Sequence, residues 1–142
     1  MFAITLLFNL PLSLYFFLKI FTLKENGSES ILNFVFENDW FSDFDSFNSQ
    51  KPSKYSICAI EDCEILAISK AEKTKLLKQI PKIEQLQNIL LKKDNILMQE
   101  RLLDVLNKTS KQRYLELILK NPAFIQKISN KNLSSYLGVS HE

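Results

Sequence analysis

The sequence predicts an α+β protein with antiparallel strands in its first half and helices in its second. Three observations predict it. Two apolar runs flank an Asn26-Gly27 pair, the strongest short hairpin signal. The apolar period changes from strand-like to helix-like after Ser69. Two heptad-spaced apolar seams then run along a helical segment that begins at Pro81.

Taken in order, residues 1–15 are apolar and interrupted by Pro11, and they carry no assignment. Met1 to Leu18 is a stretch of 18 uncharged residues, which at ~1.5 Å per residue reaches only about 27 Å as a helix. No basic residue precedes it, so the n-region of a secretory signal is missing. A small membrane-tethered protein using residues 1–18 is the alternative this stretch leaves open. Phe16–Leu23 is rich in aromatic and β-branched residues and reads as a strand, paired across a type I′ turn with Ser30–Phe36. The segment from Glu37 to Phe47 alternates acidic and aromatic residues, and its Trp40, Phe41, Phe44 and Phe47 read as core. A second strand pair, Tyr55–Ile60 and Glu64–Ile68, is joined by Glu61-Asp62. Ser69 with Glu72 three residues on is a capping box, opening a helix that stops at Ile80 before Pro81.

The long helix from Pro81 to Asn107 carries one seam of Ile83, Leu90 and Leu97 and another of Ile89, Ile96 and Leu103, with Leu86 between them. One buried face needs one stripe. A second seam predicts packing on another helix, most simply its copy in a parallel homodimer. Lys93 and Glu100 interrupt the contact, so no uniform zipper is expected. A wide stripe in a monomeric core is the competing reading. Ser110 caps a helix to Lys120, and short helices follow near Pro122–Ile128 and Asn132–Leu137. Gly138 then supplies a left-handed C-terminal residue, and Ser140 stands as the cap of a further helix.

Composition narrows the function. The only glycines are Gly27 and Gly138, which excludes glycine-rich phosphate loops. One histidine, His141, and two cysteines give no basis for a zinc site or a Cys–His or Ser–His pair, and an enzyme is not expected. Cys58 and Cys63 are expected to be buried, reduced thiols. Charge is polarised: from Glu25 to Ile65 nine acidic residues face two lysines, a net of −7, whereas from Arg101 to Glu142 seven basic residues face three acidic ones, a net of +4. A basic C-terminal module suits nucleic acid.

This order of elements resembles the Crp/Fnr family of bacterial transcription regulators. The likeness covers about residues 16–142. It is carried by Lys24–Glu29, Glu37–Asp43, Pro52–Ile57, Glu61–Ser69, Gln99–Leu103, Gln112–Leu115 and Leu133–Ser140, and the wording is nearest to regulators of Bacteroidetes-type bacteria. The resemblance implies a partial antiparallel β-roll of cyclic-nucleotide-binding type over 16–80, a dimerisation helix over 81–107, and a truncated helix-turn-helix DNA-binding domain over 108–142. It further implies a cytoplasmic homodimer acting at promoter DNA.

Three departures qualify that expectation. Residues 1–15 do not resemble the family, and Phe16 stands where its strand has Gly, so the chain reads as a fragment truncated at both ends. The phosphate-binding cassette is altered: Ser42 and Asp43 occupy the Gly-Glu positions and Ser53 stands in place of Arg, with Lys54 adjacent. Lysine lacks the forked bidentate geometry of arginine, so no cyclic-nucleotide cofactor is expected, and with one histidine and two cysteines no metal is expected either. The recognition helix would begin at Ser140 and is missing. Lys108, Lys111, Arg113, Lys127, Lys131 and Ser140 remain as phosphate contacts, which position without specifying, so weak or absent DNA binding is expected. A helix-mediated interaction protein, able to pair with a full-length relative, is the alternative from another class.

Overall fold

The computed structural model describes residues 4–7, 17–36, 39–63, 65–120 and 122–139. The chain divides into two compact units, residues 1–87 and 88–142.

The first unit holds two small sheets. β1 (Ile4–Leu7), β2 (Phe17–Leu23), β3 (Glu29–Phe36) and β4 (Trp40–Phe41) precede a short helix, α1 (Phe44–Ser49). β5 (Ser56–Ala59), β6 (Ile65–Ile68) and α2 (Lys70–Gln79) follow. Strand order is β3-β2-β5 in one sheet and β4-β1-β6 in the other. Phe34 and Ile57 therefore share a sheet, on either side of β2, where Lys19 is paired with Phe34 and Ile20 with Ile57. The predicted strand pair of 55–60 and 64–68 does not form as a hairpin. β5 pairs with β2, and β6 runs antiparallel to β1 with Ile4 opposite Ile68. Residues 4–7 thus supply a central strand inside the segment left unassigned by sequence.

The β2–β3 hairpin forms as expected, with a different turn. Gly27 has φ +77°, while Gln50 is the one non-glycine among the described residues with positive φ. Asn26 therefore lacks the positive φ a type I′ turn requires. Instead Gly27 N–H donates to the Lys24 carbonyl at 2.9 Å, and Lys24 N–H donates to Ser28 O at 2.9 Å. This is a type I turn followed by a left-handed glycine, the usual longer hairpin loop. The Asn26 side chain accepts from Ser28 N–H at 3.0 Å and stiffens it.

Alternation places Leu18 on the inner face of β2 and Val35 opposite it on β3, 1% and 2% exposed. Phe21, Ile31 and Phe34 are also buried. Phe41 and Cys63 pack against the Leu18–Val35 pair. Cys58 departs from expectation: it is exposed, as are all four residues of β5, and Cys63 is half-buried. Burial, then the charge of Asp62, raises the Cys63 thiol above its ordinary 9.0, so it stays protonated at neutral pH.

α2 opens on the predicted capping box. Ser69 Oγ accepts from Glu72 N–H at 3.2 Å, and the Glu72 carboxylate accepts from Ser69 N–H at 2.7 Å. Pro81 breaks the chain between α2 and α3 (Lys82–Asn107). In the second unit α4 (Ser110–Lys120), α5 (Pro122–Lys127) and α6 (Asn130–Leu137) complete the fold, around buried Phe124, Ile128 and Leu133. Among the described residues no helix is long and apolar enough to cross a membrane.

Candidate functional site

Ser42, Asp43 and Ser53 are brought together at the start of α1. Asp43 is the N-cap of that helix and has extended backbone angles. Its Oδ1 accepts from Ser46 N–H at 3.1 Å, and its Oδ2 accepts from the Ser53 hydroxyl at 2.6 Å. Ser53 Oγ accepts in turn from Tyr55 N–H at 3.0 Å. Burial alone would raise the Asp43 carboxyl. Hydrogen bonds from Ser53 and from the backbone of Ser46, Asp45 and Lys54 outweigh it and hold the group below its ordinary 3.8. The Asp43 carboxylate is thus satisfied by its own chain. Ser42 Oγ is buried with no hydrogen-bond partner among the described residues, while Lys54 is exposed and reaches Asp43 through its backbone N–H.

The other end of α1 is fixed as firmly. Gln50, at φ +60°, closes the helix by donating its N–H to Ser46 O, and Ser46 Oγ donates to Lys51 O at 2.5 Å. Lys70 Nζ donates to Asn48 O at 2.5 Å. Phe47 is 1% exposed, with Lys73 Nζ 5.2 Å from its ring centre. This helix went unassigned in the sequence, although Asp43 as a cap with Phe44 and Phe47 three apart was a usable signal.

Replacing Asp43 by Ala is expected to cost about 1–2 kcal/mol, the range for losing an N-cap. Because the folded carboxyl titrates below its unfolded value, its contribution is complete above the ordinary carboxylate range and fades as pH falls through the folded value. Urea unfolding at pH 7 and at pH 3 checks this. The gap between wild type and Asp43→Ala narrows at pH 3, and an equal gap at both values contradicts it.

No arginine precedes Arg101 in the sequence, so the cassette region holds no guanidinium to fork onto a phosphate. Among the described residues no group of His, Cys, Asp and Glu is arranged to hold a metal ion.

The second unit contains the candidate nucleic-acid contacts. Lys111, Lys127 and Lys131 are exposed. Lys108 lies between Asp104 and Glu116, 2.7 Å from each carboxylate, and these hydrogen bonds raise its pKa above 10.5. Arg113 donates to three backbone carbonyls: Lys108 O at 3.0 Å, Val105 O at 3.4 Å and Leu137 O at 2.7 Å. Ser140 and His141 lie outside the described residues. Along α3, Ile83 and Leu90 are half-buried, while Leu86, Ile89, Ile96, Leu97 and Leu103 are exposed. Ile89, Ile96 and Leu97 line a shallow apolar groove edged by Lys92, Lys93 and Glu100.

The cyclic nucleotide-binding domain family matches residues 17–80. The chain as a whole has the fold of Crp/Fnr-type regulators. A structure from Eubacterium rectale, described as a transcriptional regulator of the Crp/Fnr family, superposes with a TM-score of 0.74 at 15% identity. That superposition covers 99% of this chain and 64% of the other. The c-di-GMP responsive global regulator CLP of Xanthomonas campestris gives 0.69 at 13% identity, covering 98% and 72%. A protein of Silicibacter pomeroyi described as a cAMP-binding regulator gives 0.54 at 18%, covering 99% and 62%. The chain therefore spans about two thirds of the length of these structures. A search of curated proteins found no match.

Proposed function

We propose that the protein is a Crp/Fnr-type transcription regulator of the cytoplasm, a homodimer through α3, whose β-roll domain works without a cyclic nucleotide. The observation that carries this reading is the Asp43–Ser53 hydrogen bond of 2.6 Å. The carboxylate that would receive a ribose hydroxyl is occupied from within the chain. The position that would carry an arginine donates to that carboxylate instead. A cyclic phosphate placed here would lose water without gaining a paired cation, and burying an unpaired charge is heavily penalised.

In the second unit Lys111, Lys127 and Lys131 are the phosphate contacts, and they give position without sequence readout. Lys108 and Arg113 serve the protein's own helices. Boundaries near 80 and 107 separate the sensor-type domain, the dimer helix and the DNA-facing helices.

Two titrations test this. Calorimetry with cAMP and cGMP is expected to show no saturable binding below about 1 mM, the affinity equivalent to ~4 kcal/mol. Gel-shift assays are expected to show weak binding to any duplex, lost steeply with added salt as lysine–phosphate contacts are. A micromolar cyclic-nucleotide complex, or a tight complex selective for one sequence, overturns the reading. The exposed apolar face of α3 favours one second reading, a protein that acts through helix pairing alone. It predicts the dimer and no DNA complex at any salt concentration.

A further inference from the structure

The last four carbonyls of a helix have no partner within it. In α6 each of these four groups, from Ser134 to Leu137, has a traceable partner. Val139 N–H donates to Ser134 O at 3.0 Å, and Gly138 N–H donates to Ser135 O at 3.2 Å. Gly138 at φ +70° makes this paired closure possible. The remaining two carbonyls are taken by side chains from other helices. Arg101 Nη2 donates to Tyr136 O at 3.2 Å, and Arg113 Nη2 donates to Leu137 O at 2.7 Å. Arg101 also stacks on the Tyr136 ring, 4.2 Å from its centre. These are the only two arginines in the chain.

The two guanidinium groups tie α6 to different places. Arg101 extends from α3. Arg113 sits on α4 and, besides Leu137 O, holds Lys108 O and Val105 O at the C-terminal end of α3. One planar cation therefore joins the ends of two helices from a third. The bend between α3 and α4 is held further by Lys108 between Asp104 and Glu116. It is also closed by a reciprocal cap, with Thr109 N–H donating to Gln112 Oε1 at 2.8 Å and Gln112 N–H to Thr109 Oγ1 at 3.3 Å. Positive charge at a helix C-terminus is favoured by the helix dipole, and both helix ends that Arg113 serves are of this kind.

We infer that Arg113, assisted by Arg101, is a positioning residue that locks α6 to the α3–α4 elbow, so that α6 moves with the C-terminal end of α3 as one body. The lock needs arginine specifically. Its three carbonyls are reached by two nitrogens of a fixed planar fork, and a lysine ammonium is a single point at the end of a flexible stem.

The test measures a distance within this unit. With Cys58 and Cys63 replaced by Ser, spin labels are placed through Gln99→Cys on α3 and Lys131→Cys on α6, both at exposed positions. Labelled chains are diluted into an excess of unlabelled protein so that only the distance within one chain is read, and the parent is expected to give one narrow distance distribution. Arg113→Ala is expected to widen it at least twofold, to raise amide exchange of residues 133–139 at least tenfold, and to leave helical circular dichroism unchanged. Arg113→Lys, which keeps the charge, is expected to behave like Arg113→Ala. A narrow distribution in Arg113→Ala, or its return in Arg113→Lys, overturns the proposal. Should Arg113→Ala lose its helical signal, Arg113→Lys and Arg101→Gln carry the same decision.

Discussion

Phe47→Ala is expected to remove about 3–5 kcal/mol of stability, the cost of deleting a buried aromatic side chain. The ring is 1% exposed and sits in the middle of a six-residue helix that has little stability of its own. Isolated helices this short do not persist in water, so α1 depends on this anchor and on its ends. Asp43 holds one end, and Gln50 and Lys70 hold the other. Lys73 lies over the ring, and its amine is pushed below 10.5 by burial. Against a total of about 5–15 kcal/mol for a typical domain, the substitution brings the first unit close to unfolding. Phe47→Leu keeps most of the volume and is expected to cost under about 1.5 kcal/mol. Urea unfolding compares the two. Equal midpoints for wild type and Phe47→Ala contradict the anchoring role. Because the same helix presents Asp43, Phe47→Ala and Asp43→Ala are expected to be less than additive, as coupled neighbours are.

What the sequence reveals about this fold depends on how far apart the interacting residues are. The Ser69–Glu72 box and the Gly138 closure were legible because each is complete within six residues. The hairpin at Asn26-Gly27 was legible as a hairpin, but its turn type was not. The same dipeptide serves both turns, and the choice is made by φ at Asn26. β1 was hidden because its partners are β4 and β6, more than thirty residues on, and its apolar run has no alternation to reveal it. β5 and β6 looked like a hairpin across Glu61-Asp62, yet each is claimed by a different, distant strand. That exchange also leaves β5 at an edge of its sheet.

Site residues divide the same way. Ser42, Asp43 and Ser53 were singled out by likeness to a cassette, and they do cluster, although Ser53 donates to Asp43 where an arginine was expected. Lys108 and Arg113 read in the sequence as phosphate contacts. Nothing local signals that Arg113 ends against Leu137, 24 residues on, or Arg101 against Tyr136, 35 residues on.

Ile96→Lys is expected to convert the proposed dimer to monomer. Ile96 is 55% exposed, and Ile89 and Leu103, one heptad away on either side, are 63% and 56% exposed. A row of large apolar side chains at this spacing is the pattern by which two helices bury one another. Covering one isoleucine contributes about 1.5–3 kcal/mol. A twofold interface contains the residue twice, so about 3–6 kcal/mol is at stake before the new charges are counted. At 1.4 kcal/mol per tenfold, the dissociation constant rises by about a hundredfold or more. Two ammonium groups facing each other across the seam add to that. The exposed Gln99→Lys, on the same helix but off both seams, serves as the control for added charge. Light scattering after size exclusion over a range of concentrations reads both variants. The wild type is expected at twice the chain mass of 16.5 kDa, Gln99→Lys with it, and Ile96→Lys at the chain mass. A wild type that stays monomeric at high concentration removes the dimer helix from the proposed function. A dimer that survives Ile96→Lys places its interface on another surface.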